Sequence, residues 1–294
     1  MAFPKNEAHY VRTDLACERR RADLALDGVS YCEETKNGIH KSSLVVESDE
    51  GERSIGKPKG RYVTLTFKPL WQQSEEDLSD AVRALSAVLL EMIPKKEKPS
   101  LLIAGLGNRE LTVDSVGPLT LSRIIATAHL AELEPELFST LSCHRITAVA
   151  PGVLSQTGIE SASIIMGAVK AAEPDFVIVV DALAARDCSR LAKTIQISDT
   201  GILPGAGVGN PRTAIDRDTL GVPVIVIGVP TVVDSSTLLY DALAQAGMEE
   251  LPKELTEILE NGRGYFVSPR ECDAVAENVS RIIADAINRT FGIA

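Results

Sequence analysis

The sequence predicts an α/β protein built around a parallel sheet, and three observations predict it. Leu101–Ala104 is a short apolar run that meets a Gly-x-Gly-Asn turn at Gly105, Gly107 and Asn108. Phe176–Val180, in the stretch DFVIVVDALAAR, is a continuous apolar run rich in β-branched residues, as expected of a strand buried on both faces. Helical patterns flank the first run on both sides, and helix, strand and helix in succession is the unit of a parallel sheet. Each run leads to a carboxylate: Asp114 lies seven residues beyond Gly107, and Asp181 follows Val180 directly. Open α/β sheets build ligand crevices at the carboxyl edge of their strands, so two such strands can bring two carboxylates into one crevice. Such a pair can share or split protons, or bind a metal.

Length and charge narrow the possibilities. The 294 residues suffice for one large or two small domains, and 45 % hydrophobic residues is ordinary for a globular core. A net charge of -11 argues against a nucleic-acid grip by bulk electrostatics and against adhesion to an anionic membrane. No apolar run approaches the length of a membrane span, and the start, MAFPKNEAHYVRTDLACERRR, has no apolar segment of the secretory kind. Five scattered cysteines without a Cys-x-x-Cys pair indicate neither a zinc site nor a disulfide framework, which fits a reducing cytosol. The four histidines, His9, His40, His129 and His144, sit beside no Ser or Cys in a nucleophile motif.

Residues 1–14 read as a loose polar arm, and Asp14–Leu26 as a short amphipathic helix with Asp14 at its N-cap. HKSSLVVES and GRYVTLTF read as a pair of edge strands with a turn at Asp49–Gly51. The basic loop Lys57–Tyr62 reads as a solubility feature. Ser74–Met92 is a helix with Glu75, Glu76 and Asp77 behind its cap and an apolar stripe of Leu78, Val82, Leu85, Val88, Leu89 and Met92. After the Leu101–Ala104 strand comes a helix from about Ser115 through Leu130, a strand at Arg145–Ala150 and a helix at Ile159–Ala172. The DFVIVV strand ends at Asp181, and Thr194–Ile197 is a short strand. Asp199–Arg212, with four glycines and two prolines, is a long surface loop of the kind that usually has a function. Val222–Val229 is a buried strand ended by Pro230. Thr231, Asp234 and Ser235 then cap a helix, Ser236–Ala246, or line the crevice. Glu271–Phe291 is a final amphipathic helix.

Taken together, YVRTDLACE, GLGNRELTVDSVGP, PGVLSQTGIES, DFVIVVDALAAR, TIQISDTGILPGAGVGN and GVPVIVIGVPTVVD resemble the germination protease family of spore-forming bacteria. The resemblance runs from about Tyr10 to Asp234 and is weaker beyond Tyr240. It implies a phosphorylase/hydrolase-like three-layer α/β sandwich with a mostly parallel or mixed central sheet, related to hydrogenase maturation endopeptidases. It implies a cytoplasmic peptidase of the forespore or spore core, without a cofactor, that degrades small acid-soluble spore proteins. It also implies a homotetramer made as a zymogen: a propeptide, residues 1–14, and one α/β peptidase domain, residues 15–294. No direct contact with nucleic acid or membrane is implied. The two catalytic carboxylates correspond to Asp114 and Asp181, with Gly105, Gly107, Asn108, Gly205 and Gly207 supporting the turn and the glycine-rich loop.

Amide hydrolysis without a Ser, a Cys or an evident metal cluster needs an activated water. Of two close carboxylates, the ionised one can serve as base and the protonated one as acid. Family substrates are cut after an acidic and before a hydrophobic residue, so self-cleavage is expected between Asp14 and Leu15, and a chain beginning at Met1 is the uncleaved form. A metal-dependent endopeptidase of the hydrogenase maturation type is the nearest alternative. No histidine follows His144, so the later histidine ligand of those enzymes is missing. A nucleotide-binding module is a second alternative, but the Gly-x-Gly-Asn turn has no third glycine at the usual spacing.

Overall fold

The computed structural model describes residues 13–19, 26–209, 212–247, 257–258 and 265–293. After a 3₁₀ turn at Ala16–Glu18, the chain forms strands β1 (Val29–Lys36) and β2 (Ile39–Val46), helix α1 (Asp49–Ile55) and strand β3 (Gly60–Thr66). Helix α2 (Glu75–Met92) leads into β4 (Leu101–Gly105), and three short helices follow: α3 (Val116–Leu121), α4 (Ala128–Leu133) and α5 (Pro135–Thr140). Next come β5 (Ile146–Val149), α6 (Leu154–Thr157), α7 (Ser161–Ala172), β6 (Phe176–Ala185) and β7 (Thr194–Ser198). The chain ends with α8 (Arg217–Leu220), β8 (Val224–Asp234), α9 (Ser235–Gln245), β9 (Phe266–Val267) and α10 (Cys272–Thr290).

The strands form one mixed sheet in the order β1-β2-β3-β7-β8-β6-β4-β5, with β9 added to the end of β8. β5, β4, β6 and β8 run parallel, whereas β7, β3, β2 and β1 continue it antiparallel. Alternating residues feed two cores. Ile103, Phe176, Ile178, Val180, Ile195 and Ile227 pack against α2 and α10 on one face. Leu102, Ala104, Val177, Val179 and Val226 pack against α7 and α8 on the other. The fold is therefore the expected three-layer α/β sandwich with a mixed sheet, every residue of β4 and β8 being buried.

Helix α2 begins as read, with Ser74 and Asp77 forming a reciprocal capping box. All of Val275, Val279, Ile282, Ile283, Ala286 and Ile287 on α10 are buried. Other expectations are corrected. The turn at Asp49–Gly51 is the start of α1, because Ser48 accepts from Gly51 N at 3.2 Å and Gly56 closes the helix at φ 68°. The Ser115–Leu130 helix stops at Leu121. Thr127 is drawn to the edge of β5 instead, donating from its N to Ile146 O at 3.0 Å and accepting from Ile146 N at 2.9 Å. β6 does not end at Asp181 nor β8 at Pro230. They stay paired to Ala185 and Val233, with Pro230 accommodated at an irregularity in the ladder. In the Asp14–Leu26 stretch the described residues hold only the 3₁₀ turn, and residues 20–25 lie outside the described ones. The arm at residues 1–12 lies outside them too.

Between β4 and α3, backbone packs directly on backbone. A Cβ at Gly105 would lie 2.4 Å from Gly117 O, and one at Gly117 would lie 2.2 Å from Leu106 O and 2.7 Å from Val180 O. Neither site can relax by moving a side chain. Gly117→Ala is expected to destabilise by at least 1–3 kcal/mol, the usual cost of overpacking (an order-of-magnitude figure), in a denaturant titration of the folded chain.

Candidate active site

β4 delivers the site. Its pairing with β6 ends at Gly105 opposite Val180, and Leu106 N still donates to Val180 O at 2.8 Å. Gly107 then takes φ 108°, a conformation that favours glycine, and turns the chain away from the sheet. The chain returns through a 3₁₀ turn at Thr112–Asp114. Asp114 closes the loop: its Oδ2 accepts from Asn108 N at 2.8 Å, and a Cβ at Gly107 would lie 2.1 Å from Asp114 O. Asn108 Oδ1 in turn accepts from Glu110 N at 3.0 Å and Gln156 Nε2 at 2.7 Å. Gly105, Gly107 and Asn108 together shape the turn that carries Asp114.

Asp181 sits on the next strand, one residue beyond the point where β4 leaves off. It is 7 % exposed, is paired with Gly228 of β8, and its Oδ1 accepts from Ala182 N at 2.9 Å. Burial first, then the charge of Asp114, then that of Asp14, hold its carboxyl well above the ordinary carboxylate range. Asp114 is also raised by burial, with the Asn108 N–H pulling the other way. The charge of Asp114 thus reaches Asp181, and both carboxyls accept from a backbone N–H that favours ionisation. They differ in degree: Asp181, buried and beside two other carboxylates, is the more strongly raised.

The structure brings a third carboxylate to the same place. Asp14 is not a helix cap. Its N donates to Ala184 O and its Oδ2 accepts from Ala184 N, both at 2.9 Å, so its backbone and side chain together clasp Ala184 at the end of β6. Gly207 presses on the carboxylate, where a Cβ would lie 2.1 Å from Oδ2, and its backbone also hydrogen-bonds there. The glycine-rich loop is thus not purely a surface loop. Gly205, at φ 75°, starts the 3₁₀ turn Ala206–Val208 that presents Gly207. Leu15 is fully buried among Leu183, Ala185, Leu191 and Val233. Beyond it, the nearly buried Glu18 carboxylate accepts from Thr13 Oγ1, from Arg186 N at 2.8 Å and from Asp187 N at 3.0 Å, and pairs with Arg190.

Thr231, with Asp234 and Ser235, is left by the sequence between capping a helix and lining the crevice. The β6–β8 register shifts between Leu183 and Ala184, so Thr231 is the extra residue on β8. Bulges re-aim side chains beside active sites. Here Thr231 Oγ1 donates to Val113 O at 2.6 Å and ties the Asp114 turn to the sheet. Asp234 does cap α9, accepting from Ser236 N at 2.9 Å and Thr237 N at 3.3 Å. The five cysteines are free. Among the described residues no helix is long and apolar enough to cross a membrane, and no group of three or more His, Cys, Asp or Glu could hold a metal.

Two outcomes follow from this geometry. An unfolded Asp ionises near pH 3.9, as an order-of-magnitude reference, and the folded Asp181 ionises higher. Above about pH 4 the folded state therefore binds more protons at this site than the unfolded chain, and the site's contribution to stability falls as pH rises. Asp181→Asn is expected to melt above the wild type at neutral pH, with the gap closing toward pH 4 in a series of thermal melts. Thr231→Val should cost about 1 kcal/mol, the usual worth of one hydrogen bond, and should loosen the Asp114 turn in amide exchange.

A family model described as germination protease matches residues 6–258. The germination protease of Clostridium perfringens (strain ATCC 13124) is 39 % identical over 95 % of this chain and 94 % of its own. That of Caldanaerobacter subterraneus subsp. tengcongensis is 39 % identical over 95 % and 93 %, and that of Priestia megaterium 43 % identical over 79 % and 66 %. Among solved structures, the [NiFe] hydrogenase maturation protease HycI from Thermococcus kodakarensis KOD1 aligns at 18 % identity with a TM-score of 0.36, covering 68 % of this chain and 99 % of its own. With a family model spanning most of its length and relatives above 30 % identity along nearly all of it, this chain belongs to the germination protease family of peptidases.

Proposed function

We propose that the chain is an endopeptidase made as a zymogen, which cuts its own Asp14–Leu15 bond and then degrades small acid-soluble spore proteins during germination. In this reading it is a homotetramer of the forespore, without a cofactor, and Asp114 and Asp181 activate the attacking water. One observation supports the reading best: the Asp14–Leu15 segment is seated beside the two carboxylates in the manner of a substrate. An acidic side chain is received by the backbone of Ala184 and Gly207, and the following hydrophobic side chain fills a closed apolar pocket. A substrate with an acidic residue followed by a hydrophobic one would meet the same two receptors.

The unequal carboxyls suggest the division of roles. Asp114, raised by burial but less far than Asp181, and with the Asn108 N–H favouring its ionised form, takes a proton from water as the water oxygen adds to the Asp14 carbonyl carbon. Asp181, held protonated by burial and by its two acidic neighbours, gives a proton to the Leu15 nitrogen as the C–N bond breaks. The products are a carboxylic acid at Asp14 and an amine at Leu15, and the elements of one water are consumed.

Incubation of the full chain at mildly acidic pH, followed by intact mass, tests the reading. The expected result is loss of residues 1–14 from the wild type and none from Asp114→Asn or Asp181→Asn, with all three melting cooperatively. The rate should decline as pH rises through the raised Asp181 ionisation, because the ionised acid has no proton to give. Cleavage at another bond, or cleavage by either Asn variant at the wild-type rate, would refute the assignment.

A further inference from the structure

We propose that Lys57 is a catalytic residue of the peptidase, its ammonium group donating to the oxygen of the carbonyl under attack. The assignment rests on the self-cleavage reading above and extends it to a residue outside the aspartate pair. Lys57 Nζ donates to Asp14 O at 2.9 Å, and that oxygen belongs to the Asp14–Leu15 peptide bond. Gln196 stands on the other side. Its Nε2 is 3.5 Å from the same oxygen and its Oε1 accepts from Ala16 N at 2.7 Å, so one buried side chain spans the bond that would be cut. Gln196 and Asp181 lie in one row across the sheet. Gly228 is paired with Gln196 on β7 and with Asp181 on β6, so the two side chains are two strand spacings apart, about 10 Å between backbones. Gln196, which reaches the carbonyl oxygen, and the buried acid are therefore carried by one sheet, with Lys57 approaching the same oxygen from the segment before β3.

Lys57 is not an ordinary surface lysine. It follows Gly56, whose left-handed conformation ends α1, and precedes Pro58, whose carbonyl is held by the Tyr62 hydroxyl at 2.8 Å. Burial pulls its ammonium pKa down and the Asp14 carboxylate pushes it back up, with Arg19 and Glu18 as the remaining charged neighbours. A cation placed on a carbonyl in such a partly dry site is worth most when negative charge develops on the oxygen. When water adds to the carbonyl carbon, the C=O electron pair moves to the oxygen that Lys57 and Gln196 already hold. When the C–N bond breaks, the pair returns to reform C=O, the nitrogen takes the proton from Asp181, and Lys57 keeps all of its protons throughout.

The test compares first-order self-cleavage of the full chain by intact mass in wild type and Lys57→Met. The expected result is a rate lower by about 10²- to 10³-fold, the usual effect of losing one oxyanion donor. Seating of the segment is read separately, by hydrogen exchange at the Ala184 and Asp14 amides in an Asp114→Asn background with and without Lys57→Met. Retained protection with slow cleavage supports the assignment. Slow cleavage with lost protection makes Lys57 a docking residue and overturns it. Cleavage within threefold of wild type also overturns it and leaves the self-cleavage reading standing, whereas a wild type that never cuts after Asp14 refutes both. Should Lys57→Met fold poorly, Lys57→Ala is assayed with added propylammonium and, as control, propanol. Rate recovery by the amine alone supports the assignment, and no recovery overturns it.

Discussion

The arrangement depends on a contact between two stretches of bare backbone. Gly105 at the end of β4 and Gly117 in the first turn of α3 touch so closely that neither has room for a methyl group. That contact seats α3 directly on the β4–β6 pair, and the loop between the two glycines brings Asp114 near enough for its charge to reach Asp181. The hydrogen bond from Leu106 N to Val180 O and the tie from Thr231 to Val113 hold the loop at both ends. The carboxylates are not drawn together by attraction. They are held together against mutual repulsion by packing that interiors resist deforming.

Because of this the site works against the stability of the fold. Three acidic side chains, Asp14, Asp114 and Asp181, share one poorly solvated region, and each accepts from a backbone N–H, that of Ala184, Asn108 and Ala182 respectively. Backbone donors cannot swing away or titrate. They stabilise charge by a fixed amount, and they leave the proton affinity of each carboxyl to be set by how deeply it is buried.

The parts of this structure that were legible in the sequence are those governed by near neighbours. β4 and β6 announce themselves as apolar runs, α2 by its capping box, α10 by its stripe, and the Asp114 turn by its glycines. What stayed hidden depends on residues far apart in the chain. Nothing local marks Lys57 as different from Lys59, since its partner lies 43 residues away. Asp14 has the look of a helix cap until its 170-residue connection to Ala184 is seen. Pro230 reads as a strand stop because the bulge that tolerates it is a property of the pair of strands, not of β8 alone. The antiparallel half of the sheet was only half visible, since β1 is exposed along most of its length and carries few apolar residues.

β6 sets distances as well as positions. Asp181, Leu183 and Ala185 alternate along it to the same side, and the last two form part of the pocket around Leu15. The strand is therefore a ruler. It holds the acid and the side-chain pocket on a single graduated scale with a step of about 7 Å per two residues. Side chains in the pocket can change in size without disturbing the spacing to the acid. An insertion or deletion of one residue between 181 and 185 would instead send one of the two to the opposite face. The side chain in the pocket is thus free to vary in identity, but not in its distance from the acid.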